Sequence, residues 1–246
     1  MKNYLIITGG NKGIGSGIVS AYKNHGYQII SIARTQNQSP EYKDVTQIVL
    51  DLSNADGIEN SFSAVFKTIN AAEVQKITLI NNAGTLGKIG PIENNSAAQI
   101  QQIIQLNTIT PFVLSATFLK ETQTWNCSKK IISISSGAAV KPYFGWSLYC
   151  ASKAAIDMMT KTIAVEQESL ENGAKIIAIY PGVVDTDMQG EIRKSTSENF
   201  VDLQRFLDLK ASNSLVAIET VGKEIFTIDQ LENYANGALL NVSDYR

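Results

Sequence analysis

The chain has 246 residues, 44% of them apolar, a formal net charge of −2 and a single histidine. That is length enough for one large α/β domain with a well-buried core, and the absence of a dense basic run argues against nucleic acid as the main partner. No apolar run approaches the ~20 residues needed to span a bilayer, and one histidine with two cysteines, Cys127 and Cys150, argues against a metal site, a Ser-His-Asp triad or a disulfide framework.

In chain order, residues 1–10 carry an apolar stretch too short for a signal peptide and broken by glycines, so 4–8 reads as a buried strand. Residues 28–33, 46–50, 77–81, 130–135, 175–180 and 237–241 are further short apolar runs. Between them lie stretches with apolar residues at helical spacing, at 15–23, 56–69, 106–120 and 149–170. This alternation predicts one Rossmann-type, doubly wound α/β domain over residues 1–246, with a seven-stranded parallel sheet flanked by helices. Ligands of such sheets bind beyond the carboxyl ends of the strands. The more polar stretch 190–213, after the sixth strand, is expected to form a helical lid over a substrate site. His25, before Gly26, reads as a surface residue at a helix end. The small cysteine count points to a reducing, cytoplasmic setting.

Three segments carry chemistry. After the first strand comes Thr8-Gly9-Gly10-Asn11-Lys12-Gly13-Ile14-Gly15, whose glycines permit a tight turn and close backbone approach to a pyrophosphate at a helix N-terminus. The second strand ends in Arg34, where an acid would select the ribose hydroxyls of NAD. Arg34 together with Lys12 suits a 2′-phosphate instead, so NADP(H) is the expected cofactor. Finally, of nine tyrosines only Tyr149 has a lysine four positions on, Lys153. On a helix both sit on one face. A cation held close favours a phenolate and lowers a phenol's pKa from about 10 by roughly 1–3 units. That makes the phenol a usable general acid, an effect typically contributing about 10²–10⁴-fold in rate.

Together with Asn81-Asn82-Ala83-Gly84, Gln105-Leu106-Asn107-Thr108, Ile131-Ile132-Ser133-Ile134-Ser135-Ser136-Gly137 and Pro181-Gly182-Val183-Val184-Asp185-Thr186, these segments resemble the short-chain dehydrogenases/reductases over nearly the whole chain. The resemblance implies that Gly9, Asn11, Lys12, Gly13, Ile14 and Gly15 cradle the cofactor and that Asp51 meets its adenine. It implies that Asn82, Ala83 and Gly84 close the fourth strand against the cofactor. Tyr149 is then the general acid and Ser136, thirteen residues before it, binds the substrate oxygen, with Ser135 structural. Lys153 grips the nicotinamide ribose, Asn107 holds a water on the lysine's proton path, and the Pro181, Gly182, Val184 and Thr186 loop orients the nicotinamide.

The stretches 142–150 and 181–189 resemble sepiapterin reductases, and in particular the bacterial branch that reduces benzil. The resemblance implies reduction of a ketone beside a second carbonyl or imine-like carbon. Trp146, Tyr143 and Phe144 then either form a stacking wall for a flat substrate or pack at the start of the helix. Sepiapterin reductases anchor the pterin on a carboxylate near the C-terminus. Asn241 stands at that place, with Asp244 three residues later, so a hydrophobic diketone is favoured over a pterin. Rival expectations are a 3-oxoacyl-carrier-protein reductase and a non-catalytic NADPH-binding regulatory protein. The expected partner is a small-molecule ketone, with no nucleic acid, membrane or metal, in a homodimer or homotetramer built on the 106–120 and 151–170 helices.

Overall fold

Leu5, Ile6 and Ile7 in the first strand are each completely buried, so both faces of that strand must be covered. In the computed structural model, which describes residues 1–245, they are covered by helices on either side of a seven-stranded sheet. The strands are β1 (Lys2–Thr8), β2 (Gln28–Ala33), β3 (Thr46–Val49), β4 (Val74–Asn81), β5 (Ser128–Ile134), β6 (Lys175–Tyr180) and β7 (Leu239–Asn241). Their order is β3-β2-β1-β4-β5-β6-β7 and every pairing is parallel. From β1 the chain winds outward through β2 and β3, then returns to the other side of β1 for β4. This reversal opens a crevice between the carboxyl ends of β1 and β4.

Alternate residues along the strands feed two cores. Leu5, Ile7, Ile29, Ile132 and Ile177 pack under α1 (Gly13–Lys23) and α8 (Ile218–Gln230), which bring Ile18, Val19, Tyr22, Val221 and Ile225. Ile6, Ile30, Leu79, Ile131 and Ile176 face α2 (Ile58–Phe66), α4 (Thr110–Thr122) and α5 (Ser147–Glu168), which bring Phe62, Phe66, Leu114, Phe118 and Ala164. The doubly wound architecture expected from the alternation is therefore present, with all seven strands.

Boundaries differ in informative places. β4 starts three residues earlier than expected, and β7 is confined to Leu239–Asn241. Helix α3 (Ala97–Ile104) was not anticipated, although Ser96 and Gln99 form a reciprocal capping box that is legible as Ser-x-x-Gln. Helix α8 was also missed. The expected helix at 106–120 begins instead as a π-turn, Gln105–Ile109, in which Thr110 N–H reaches back to the Gln105 carbonyl. Pro111 explains the widening, because it has no N–H to give the carbonyl four residues back, that of Asn107.

At the amino ends of the strands, far from the crevice, Lys76 and Lys130 converge on Asp229 of α8 at 3.0 and 3.3 Å. Lys130 also donates to the Asp229 carbonyl (2.5 Å) and to Tyr234 (3.0 Å). Burial pushes the Lys130 ammonium below its ordinary pKa, and Asp229 is the largest influence opposing that shift. Removing the carboxylate takes the shared buried anion from both ammonium groups, so Asp229→Ala is expected to lower stability by about 3–5 kcal/mol in urea unfolding followed by circular dichroism. Glu232→Gln, which removes the exposed partner at 4.0 Å from Lys130, is expected to cost under ~1 kcal/mol.

Candidate active site

The cofactor end of the crevice is built by β1, β2 and the start of α1. Helix α1 begins at Gly13 with no side-chain cap and no acid in its first turn, so its orphan N–H groups are free to meet an anion. Gly9 holds the preceding turn at φ +64°, and a Cβ on Gly15 would lie 2.1 Å from the Gly9 carbonyl oxygen. Asn82 fastens this turn to the end of β4 by donating to the Thr8 and Gly9 carbonyls (2.9 and 3.0 Å). Tyr42 donates to the Gly10 carbonyl at 2.6 Å, and burial pushes its phenol up to about 12. The Asn11 side chain ties the loop to β2 and the residues after it, accepting from Ser31 (2.9 Å) and donating to the Thr35 carbonyl. An uncapped helix start behind a glycine turn fits the pyrophosphate of a dinucleotide.

Arg34 and Asp51 flank the same end of the cleft, and hydrogen bonds from Ser53 hold the Asp51 carboxyl below its usual range. Lys12, expected to face a 2′-phosphate, pairs here with Asp187 at the start of α6 (Asp187–Arg193), at 3.1 Å. Both side chains are largely exposed. Such a pair is worth little and yields readily to a competing anion.

At the other end Tyr149 and Lys153 lie one turn apart on α5, both buried. The Lys153 ammonium donates to the Ile134 carbonyl at 2.7 Å and sits 5.7 Å from the centroid of the Tyr149 ring. Burial raises the Tyr149 phenol, and the hydroxyl that opposes this is Ser136. The phenol is thus raised by burial where a lowering by Lys153 was expected. Burial lowers Lys153 itself to about 8, with the Asp157 carboxylate working against that shift. Ser135 donates to Asp157 at 2.6 Å, in keeping with a structural role. Asn107 lies in the π-turn, fully buried. Its side chain accepts from Thr85 N–H (2.9 Å) and donates to the Thr85 carbonyl (2.8 Å) and Ser152 (3.2 Å).

A single cleft of about 1880 Å³ joins the two ends, larger than the ~300–1,000 Å³ typical of one small ligand. Gly9, Asn11, Lys12, Gly13, Ile14, Arg34, Asp51, Asn82, Ala83, Gly84, Ser136, Trp146, Tyr149, Lys153, Pro181, Gly182, Val184, Thr186 and Asn241 all line it. Two expected site residues do not. Gly15 is buried against the glycine turn, and Asn107 sits behind the wall.

The segment 190–213 is helical over the end of α6 and α7 (Leu203–Ala211), and it brings two aromatic residues that sequence reading passed over. Phe200 stacks on Trp146 (4.6 Å, 12°), with Phe206 at 5.6 Å from the same ring. Trp146 thus gives one face to this cluster instead of offering a free stacking wall. Phe144 is half exposed and lines no part of the cleft, so of the two alternatives the stacking wall does not hold for it. The only hint in sequence was that Phe200 and Phe206 are isolated aromatic residues in a polar stretch.

A model of the short chain dehydrogenase family matches residues 3–197. The chain belongs to this family. Among short-chain dehydrogenase relatives, a benzil reductase ((S)-benzoin forming) of Bacillus cereus is 36% identical, with 98% of this chain and 99% of that protein covered. A sepiapterin reductase of Rattus norvegicus is 29% identical, covering 97% and 95%. In the fold, the KRED1-Pglu enzyme superposes with TM-score 0.82 at 24% identity, covering 97% of this chain and 100% of that one. Among the described residues no helix is long and apolar enough to cross a membrane, and both cysteines are free.

The depressed Lys153 pKa has a consequence for stability. The folded state releases this proton near pH 8 and the unfolded chain only near 10.5, so folding is penalised below pH 8 and the penalty lifts between the two values. The stability of wild type relative to Lys153→Met is expected to rise by about 3 kcal/mol from pH 7 to pH 10.5. Urea unfolding of both proteins at the two pH values measures it.

Proposed function

We propose that this protein is an NADPH-dependent carbonyl reductase that converts one ketone of an α-dicarbonyl substrate to an alcohol. The observation carrying this reading is the convergence of the Tyr149 phenol, the Ser136 hydroxyl and the Lys153 ammonium on one cleft whose far end is an uncapped helix start flanked by Arg34 and Lys12. Glycine-loop N–H groups would hold the pyrophosphate, Arg34 and Lys12 the 2′-phosphate, and the loop 181–186 the nicotinamide. When bound, NADPH supplies the hydride.

Tyr149 gives its proton to the ketone oxygen as that oxygen gains charge, and Ser136 holds the oxygen in place. A phenol kept protonated by burial suits an acid in this direction. Lys153 stands behind it as a charged neighbour fixed by Ile134. The Asn107 carbonyl, which Pro111 cannot serve, accepts a water on the route that returns the proton.

The substrate class follows from the cleft's other residues. Leu86, Ile103, Trp146, Ile192 and Phe206 make an apolar side, and Asn241 at the end of β7 is neutral. Asp244, the carboxylate nearest in sequence, is exposed, hydrogen-bonded to Ser243 and outside the cleft. A flat neutral diketone matches this lining better than a pterin, whose amino groups call for a charge-assisted acceptor. The benzil reductase name of the Bacillus cereus relative supports the same reading.

Tyr149→Phe is expected to lower kcat/KM for benzil by at least about 10²-fold while NADPH binding, read by fluorescence, stays near wild type. Wild-type-like reduction by this variant would remove the assignment. Across benzil, sepiapterin and an acetoacetyl thioester, benzil is expected to give the highest kcat/KM. Arg34→Ala is expected to weaken NADPH about tenfold and NADH little; equal losses would sink the 2′-phosphate role.

We also propose a homodimer or homotetramer. Ile109 and Phe112 before and on α4, and Met158 and Val165 on α5, are 45–69% exposed apolar side chains. Pairing this face with a second copy buries them. Phe112→Glu with Val165→Glu is expected to shift the mass seen by light scattering towards the monomer, and an unchanged mass would discard this interface.

A further inference from the structure

Asp157 lies one turn beyond Lys153 on α5 and is 7% exposed. Its oxygens accept hydrogen bonds from Ser135 (2.6 Å) and from the Tyr180 hydroxyl at the end of β6. Neither donor carries a positive charge, and among the described residues no Lys, Arg or His nitrogen comes within ion-pair distance of the carboxylate. A buried anion with only hydroxyl partners is costly unless a cation nearby compensates it. Lys153 is the buried cation on which this carboxylate acts. The last residue of β5 and the one after it seat both groups, since the Ile134 carbonyl takes the ammonium and the Ser135 hydroxyl serves the carboxylate. Ser135 also reaches the Lys153 carbonyl at 3.5 Å.

We propose that Asp157 is a positioning residue, a fixed counter-charge behind the cleft wall that keeps Lys153 protonated and seated at the end of β5. It touches neither substrate nor cofactor and works through the lysine. The inference rests on the assignment of Lys153 to the reaction. The other titratable groups facing this pair are Tyr149 on α5 and Tyr180 on β6, with Cys150 bearing on Tyr149. From the α3–α4 side the facing group is Asn107, which carries no charge and bonds the uncharged Ser152 of α5.

Asp157→Asn preserves shape, its amide oxygen accepting from one of the two hydroxyls and its NH2 donating to the oxygen of the other, so it removes the charge while keeping both contacts. Without the carboxylate Lys153 loses its proton at lower pH. The alkaline limb of kcat/KM for benzil is expected to move down by about one pH unit, with the rate at pH 6 within about threefold of wild type. A limb at the wild-type position, or a loss of rate equal at every pH, would mean a packing role only and overturn the proposal. A second measurement uses the unaltered protein without cofactor and decides the matter should the variant not fold. The ¹³C shift of the Asp157 carboxyl is expected to step at the pH where the Lys153 side chain titrates, and a flat trace there would overturn it. An unmoved limb in Asp157→Asn beside an inactive Tyr149→Phe refutes this inference alone. Activity in Tyr149→Phe refutes the reaction assignment itself.

Discussion

A buried ammonium bonded to the last carbonyl of a strand organises the centre of this molecule. Lys153 has given up water for the Ile134 carbonyl at 2.7 Å, and the desolvation it suffers shows in a pKa drawn down to about 8. That placement is possible because β5 ends there, so its carbonyl is no longer engaged in a ladder hydrogen bond. It also ties α5 to the sheet at the point where the crevice opens, and everything that lines the reacting end of the cleft takes its position from that joint. Tyr149 follows from helical geometry, Ser136 from the strand's continuation, and Trp146 from the turn that starts the helix.

The electrostatics around this joint are a contest between burial and hydrogen bonding. For Tyr149 burial prevails and the phenol stays protonated, with the Ser136 hydroxyl as the opposing influence. The proposed direction of reaction needs just such a proton donor. The lysine's own charge is opposed by burial and supported by Asp157. Two layers of polar side chains thus stand behind one phenol, and hydroxyls or backbone carbonyls make most of the joints between them. Such networks hold geometry firmly when every member is satisfied.

Much of this was legible before any coordinates. The seven strands announced themselves as short apolar runs because strands covered on both faces are apolar throughout. The glycine turn, Tyr149 with Lys153, and the Pro-Gly loop were legible because each chemistry imposes a spacing. The π-turn at Gln105–Ile109 was harder to foresee, since α- and π-turns place side chains alike over so few residues, and only Pro111 hinted at it. Helix α8 went unread although its apolar face packs firmly on α1, and Phe200 and Phe206 meant nothing until a partner was known.

Sequence alone determined the doubly wound architecture and the family, and it singled out the residues proposed for the reacting centre, because local periodicity and short-range spacing carry that information. Tertiary structure decided what those residues experience. The state of Tyr149, the seat of Lys153, the pairing of Lys12 with Asp187 and the covering of Trp146 by Phe200 all arise between segments far apart in the chain. Burial and long-range contact set a group's pKa and its free faces, and neither can be read from the residues beside it.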